Sequence, residues 1–327
     1  MKRRLISIPA LYVGGLLLLA LLPVWLPVVV LVDLVRGRPR LPIARLLGFA
    51  VLWVITEIIG VSAAAIFWIT GQSRRVSLHF ALQRWWAKRL MWALRVTCGV
   101  RVQVENVEAL RPGPTVLLAR HASLADSLVS AYAVTSGARL QPRYVLKREL
   151  LSEPCLDVVG NRLPNHFLDR GANDSAPELA ALTALTAAMG ADDIGVIFPE
   201  GTRANPVKRE RALEKIAAAD PVRAERLRAL RHLLPPRPAG AVAMLRGCPT
   251  ADVILAWHVG FEGLDTFGGI LRAVGRPLRP VRFVVRRVPR HEVPDVGTAD
   301  STSFVEWLDH QWLQMDREVE AALSERN

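Results

Sequence analysis

The residues best suited to chemistry lie in two short stretches, Arg120-His121-Ala-Ser-Leu-Ala-Asp126 and Phe198-Pro-Glu-Gly-Thr-Arg203. Imidazole titrates near neutral pH, so His121 can take a proton from a hydroxyl as that hydroxyl attacks. A neutral histidine needs its other ring N–H held, and the carboxylate of Asp126 can hold it. On one continuous helix, a spacing of five would set the two side chains about 140° apart around the axis. They meet only across a bend, with His121 at a strand end and Asp126 in the first turn of the next helix. Ser123, between them, suits the N-cap. In the second stretch Phe198 closes an apolar run, Pro199 stiffens the exit and Gly201 permits a tight turn. Glu200 is placed either to orient that loop or to hydrogen-bond a bound molecule. Thr202 offers a hydroxyl, and Arg203 can grip a phosphate bidentately. The chain has seven histidines, so His-x4-Asp alone is a weak signal; the six-residue stretch gives it weight.

Both stretches must leave the ends of rigid elements. From residue 100 onward, short apolar runs alternate with helical patterns. Strands are expected at 100–106, 115–119, 142–147, 166–171, 194–198, 252–260 and 280–288. Helices are expected at 124–137, 148–160, 178–190, 239–247 and 304–323. That alternation predicts an α/β layered sheet with helices on both faces, occupying residues 101–327. His121 would then follow the strand 115–119, and Phe198 would close the strand 194–198. Residues 206–234 are charged, helix-forming and broken at Asp220-Pro221. They read as a solvated helical insertion, and less readily as a basic lip on a membrane.

The front of the chain has a different character. Hydrophobic residues make up 51% of 327, and the mean hydropathy of +0.24 is high for a soluble enzyme. No charge falls between Arg4 and Asp33, and only Glu57 between Leu46 and Thr70. Each run exceeds the roughly 20 residues that cross a bilayer core. Two membrane segments are expected, near 8–30 and 46–70, within an anchor covering 1–75. Pro23 and Pro27 would bend the first, which is therefore transmembrane or re-entrant. A signal peptide fits less well, because no small-residue cleavage site follows. Residues 76–100 read as an amphipathic helix, interfacial or packed on the catalytic domain.

Net charge is +12, which suits anionic lipid or nucleic acid. No zinc-finger, RNP-type or basic-zipper pattern is present, so nucleic acid is set aside. The basic flanks place the termini and the catalytic part in the cytoplasm. Cys98, Cys155 and Cys248 form no CxxC pair, consistent with a reducing compartment. His258, near Cys248, lacks metal-ligand spacing and reads as an ordinary core or surface residue; no metal site is expected. P-loop, dinucleotide-turn and GxSxG patterns are absent.

Over residues 115–260 the chain resembles the PlsC-type lysophospholipid acyltransferases, the 1-acylglycerol-3-phosphate acyltransferases. The first block, usually Asn-His-x4-Asp, carries Arg120 in place of Asn. The second resembles Lys147-Arg-Glu-Leu150 with Pro154, then Phe167-Leu168-Asp169-Arg170, with Asp157 where a Gly is usual. The third, residues 198–203, is intact. The fourth is at best ILAWHVG, and the segment LLPPRP resembles a eukaryote-like branch. The resemblance implies that His121 is the general base and Asp126 its orienting partner. Arg170 and Arg203 would hold the acceptor phosphate, with Lys147, Glu200, Gly201 and Thr202 in the substrate pocket. It implies acyl transfer from acyl-CoA, or from acyl carrier protein, to the sn-2 hydroxyl of 1-acyl-glycerol-3-phosphate. The product would be phosphatidic acid, formed without cofactor or metal at the cytoplasmic face of the inner membrane. Two other readings remain: a different lysophospholipid or lyso-aminolipid acceptor, and a non-catalytic anchored protein that binds anionic lipid.

Overall fold

The computed structural model describes residues 2–123, 125–169, 175–264, 266–297 and 302–326. Arg170 lies outside them. A seven-stranded sheet runs in the order β1-β7-β6-β2-β5-β3-β4. The strands are β1 (Val102–Glu105), β2 (Thr115–Ala119), β3 (Gln141–Lys147), β4 (His166–Leu168), β5 (Asp193–Ile197), β6 (Asp252–Val259) and β7 (Val281–Val288). β2 lies parallel to both β5 and β6, and β3 is parallel to β5 and β4. β7 is antiparallel to β6, and β1 is parallel to β7. The five strands from β6 to β4 therefore end on one edge, where ligands of open α/β sheets bind.

Side chains alternate across this sheet as strand geometry requires. Val116 and Leu118 of β2 join Val253, Leu255 and Trp257 of β6 in one core. That core is closed by α9 (Pro221–Leu227), α10 (Pro238–Gly247) and α12 (Thr302–Ser324). Leu117 and Ala119 face the other way, with Ile254, Ala256 and Val196. There they meet α4 (Val76–Ala93), α5 (Asp126–Tyr132) and the π-helical turn Ala133–Gly137. The remaining helices are α1 (Lys2–Ala20), α2 (Leu22–Val35), α3 (Pro42–Ile69), α6 (Pro154–Gly160), α7 (Ala176–Thr186), α8 (Pro206–Ala217) and α11 (Phe267–Val274). Residues 206–234 hold two helices broken at Asp220-Pro221 as expected, and Asp220 caps α9 by accepting from the Arg223 amide.

The apolar front differs from two simple segments. The first run is split at Leu21 into α1 and α2, with Pro23 in the first turn of α2. Two helices, α1 from Arg3 and α3, are long and apolar enough to cross a membrane. α3 also packs on the rest of the protein. Val61 and Ala64 form a small core with Phe80 and Leu82 of α4 and Cys155, Val158 and Val159 of α6. Buried Glu57 accepts hydrogen bonds from Trp86 Nε1 at 2.7 Å and from the Cys155 amide at 3.0 Å. α4 is likewise packed: His79, Phe80, Leu82, Leu90 and Met91 are buried.

Candidate active site

β2 delivers His121 to the carboxyl edge of the sheet, and the chain then bends so that α5 begins at Asp126. His121 Nδ1 lies 2.9 Å from Asp126 Oδ2. The same oxygen accepts from the amides of Ala122 (2.6 Å) and Ser123 (2.9 Å), and Oδ1 accepts from the Ser123 hydroxyl. Ser123 is thus not the helix N-cap: Ala125 holds that position, and the serine hydroxyl serves the carboxylate instead. Burial pushes the Asp126 carboxyl up, but the hydrogen bonds from His121 and Ser123 and the close approach of the His258 ring prevail and hold it well below the usual carboxylate range. An ionised carboxylate only accepts, so Nδ1 carries the proton and the lone pair sits on Nε2. Nε2 makes no hydrogen bond among the described residues, and 14% of the side chain stays exposed.

The sequence pattern marks His258 only as an ordinary core or surface residue. It is buried, but its Nε2 stands 2.8 Å from Asp126 Oδ1. The ring is off line for a hydrogen bond, and neither of its nitrogens makes one among the described residues. The pattern gave no hint because β6 lies beside β2 only through a long-range parallel pairing. Arg120, at the position where Asn was expected, is buried and donates from Nη1 to the His258 carbonyl at 2.6 Å. It braces the two strand ends rather than facing solvent.

β5 delivers the second stretch beside the first. The Phe198 ring packs on His121 with centroids 5.0 Å apart. Gly201 adopts φ +70°, which the turn requires and which L side chains rarely take. Glu200 is buried; Oε1 accepts from the His121 amide at 3.0 Å and Oε2 from the Leu234 amide at 3.1 Å. Both of its oxygens are thus engaged by backbone amides. Burial raises its carboxyl to about 8, against the downward pull of the His121 and Leu234 amides and the Arg120 charge. Lys208 Nζ donates to Thr202 Oγ1 at 3.1 Å and to the Arg203 carbonyl at 3.3 Å. The Arg203 side chain makes no hydrogen bond or ion pair among the described residues. Sequence reasoning also passed over Arg237 as a site residue; its guanidinium lies where a side chain at Gly201 would begin, 3.4 Å away. Lys147 ends β3, one strand beyond β5, on the same edge.

Residues 101–255 match the family model described as Acyltransferase. This part of the chain is similar to the acyltransferase family. A 1-acyl-sn-glycerol-3-phosphate acyltransferase of Pseudomonas aeruginosa is 33% identical over 134 residues, 39% of this chain. The match spans about half of that protein, 48% of its length. The crystal structure of PlsC from Thermotoga maritima, a 1-acyl-sn-glycerophosphate (LPA) acyltransferase, aligns with 84% of this chain and 98% of its own. Identity is 15% and the TM-score 0.43. The range matched by the family model contains His121, Asp126, Lys147 and residues 198–203, whereas His258 lies three residues past it.

Proposed function

We propose that the protein transfers a fatty acyl group from an acyl thioester to the sn-2 hydroxyl of 1-acyl-glycerol-3-phosphate, giving phosphatidic acid. The observation that carries this is His121: Nδ1 is fixed on an ionised carboxylate, and Nε2 is free at the open edge of the sheet. Nε2 accepts the hydroxyl proton as the oxygen attacks the thioester carbonyl. The tetrahedral intermediate collapses, the C–S bond breaks, and the imidazolium returns the proton to the leaving sulfur. The thioester is already activated, so the step as written includes no metal or cofactor. General-base catalysis supplies about 10²–10⁴-fold, and positioning of two bound substrates supplies more, about 7–11 kcal/mol at best.

Arg203, with no partner among the described residues, serves as the phosphate grip, and Thr202 and Gly201 shape the loop around it. Arg170 and Lys147 are assigned to the same pocket from the family pattern. The donor is CoA or acyl carrier protein. Residues 1–75 act as the anchor and 101–327 as the catalytic domain, with 76–100 joining them, on the cytoplasmic face of the inner membrane. The break at Leu21 and the packing of Glu57 favour an anchor that lies against the domain over a straight tether. Purified protein assayed with labelled acyl-CoA and a panel of lysolipids tests the reading. His121→Ala is expected to abolish most turnover, and Arg203→Ala chiefly to raise KM for the acceptor. Full activity of His121→Ala would remove the base assignment, and a preference for another lysolipid would remove the acceptor.

A further inference from the structure

The loop between α2 and α3 leans on α11 and leaves a cleft of about 510 Å³ lined by none of the candidate active-site residues, within the size range of small-molecule sites. Arg38, Arg40, Arg272 and Arg276 line it over a floor that includes Pro39, Pro42 and Leu271. A second hollow of about 260 Å³ adjoins it, sharing Arg40 and Arg276 and adding Arg45 and Arg101. No acidic side chain lines either hollow among the described residues, and none of the six arginines has an ion pair there. Close approach is built in. A side chain at Gly275 would start 3.3 Å from the Leu271 carbonyl and 3.8 Å from Pro42, and one at Gly99 would meet Arg45 Nη2 at 3.0 Å. Arg45 is pinned by donating to the Thr97 and Val274 carbonyls, each at 2.7 Å. Arg38 Nη1 is enclosed without a hydrogen-bond partner among the described residues.

Six like charges converging without counter-ions ask for an anion with several acceptor oxygens. What surrounds them decides which anion. Leu34 and Val35, at the end of α2, are 53% and 79% exposed, and Phe267, at the start of α11, is 70% exposed. Apolar side chains standing free beside a basic cleft belong at the headgroup depth of a bilayer, where cations meet lipid phosphates.

We propose that this cleft binds the phosphate headgroup of an anionic membrane phospholipid, at a site separate from the catalytic one. It would set how the domain sits on the bilayer. The test uses the full chain in an uncharged detergent, titrated by calorimetry with dihexanoyl phosphatidylglycerol, dihexanoyl phosphatidylcholine or CoA. Saturable phosphatidylglycerol binding is expected, with phosphatidylcholine at least about tenfold weaker and the affinity falling as salt rises. Arg272→Gln/Arg276→Gln, both at exposed positions, should weaken it about tenfold or more with an unchanged Tm, while Arg203→Gln leaves it intact. Absence of saturable binding, equal affinity for the two lipids, or no effect of the double variant overturns the proposal. So does loss of binding in Arg203→Gln, which would place the lipid in the catalytic pocket. Displacement by CoA through the same arginines would make the cleft a nucleotide site and overturn it as well.

Discussion

The His121 amide donates to Glu200 Oε1 at 3.0 Å, and the Ala204 amide donates back to the His121 carbonyl at 2.8 Å. The two reactive stretches are therefore stitched backbone to loop. The other oxygen of the same carboxylate receives the Leu234 amide, so the exit of the helical insertion is tied in as well. Glu200 thus fixes the His121 backbone relative to the loop that carries Thr202 and Arg203.

Glu200→Gln tests that role. Glutamine offers one carbonyl where two amides now find acceptors, so one buried N–H loses its partner, at a cost of about 1–3 kcal/mol. The pH dependence follows from the raised carboxyl. Its ordinary value is 4.5 and the folded value about 8, so the folded state binds this proton more tightly than the unfolded state. The stability so gained is fully present below about 4.5 and is lost as pH rises through about 8. Thermal unfolding across that window should therefore show the wild-type Tm falling more steeply than that of the glutamine variant.

Asp126→Asn should lower kcat by about 10²–10⁴-fold and leave KM for the acceptor nearly unchanged. Asparagine has a single acceptor oxygen, whereas Asp126 Oδ2 alone receives His121 Nδ1 and two amides. An amide N–H turned toward the ring would favour the wrong tautomer and move the lone pair off Nε2. Steady-state kinetics on the folded variant separate this from a binding defect, which would appear in KM.

His258→Phe keeps an aromatic ring beside Phe261, whose ring lies 5.5 Å away, but removes the nitrogen 2.8 Å from Asp126 Oδ1. If that nitrogen helps keep Asp126 ionised, the acid limb of the kcat profile should move to higher pH in the phenylalanine variant, and His258→Gln should restore it in part. A profile that keeps its shape while activity drops would mean that His258 acts only through packing.

Much of this arrangement could be read in the sequence because local rules governed it. Val116 to Ala119 are apolar and end at a basic dipeptide; Pro221 follows a capping Asp220; Gly201 sits where the chain must turn. The bend joining His121 to Asp126 follows from helical geometry alone, since a spacing of five cannot bring them together on one helix. What escaped was set by distant pairing. His258 reaches Asp126 because β6 and β2 are neighbours, with Ala119 opposite Ala256. The split of the first apolar run was half visible in its prolines. The burial of Glu57 was not, because its partners are Trp86 and an amide 98 residues later.

Gly201→Ala should cost about 1–2 kcal/mol, the penalty of a left-handed conformation for a residue with a side chain. The new methyl would meet the Arg237 guanidinium at 3.4 Å, an ordinary van der Waals contact, so the cost comes from the backbone. Because Thr202 and Arg203 follow directly, the strain should raise KM for a phosphorylated acceptor more than it lowers kcat. A Tm drop with unchanged KM would show that the turn and the grip are independent.

Asp157→Ala addresses how the front of the chain is held. This buried carboxylate, standing where a glycine was expected, receives Arg3 through Nε and Nη2 and Arg4 through the same pair of atoms. The Asn161 amide adds a further bond at 2.9 Å. Burial pushes the carboxyl up, but the bonds from Arg3 and Arg4 outweigh it and hold it below its ordinary value of 3.8. The stability it contributes is thus present above about 3.8 and lost only as pH falls through the lower folded value. Both arginines are more than a third exposed, so solvent screening limits the contribution of the clamp to about 1 kcal/mol. Its main effect is local. In Asp157→Ala, α1 loses its polar tie to α6, and limited proteolysis should cut within the first residues faster, with His121-dependent turnover preserved. An unchanged cleavage rate at Arg3 and Arg4 would show that apolar contacts alone dock α1.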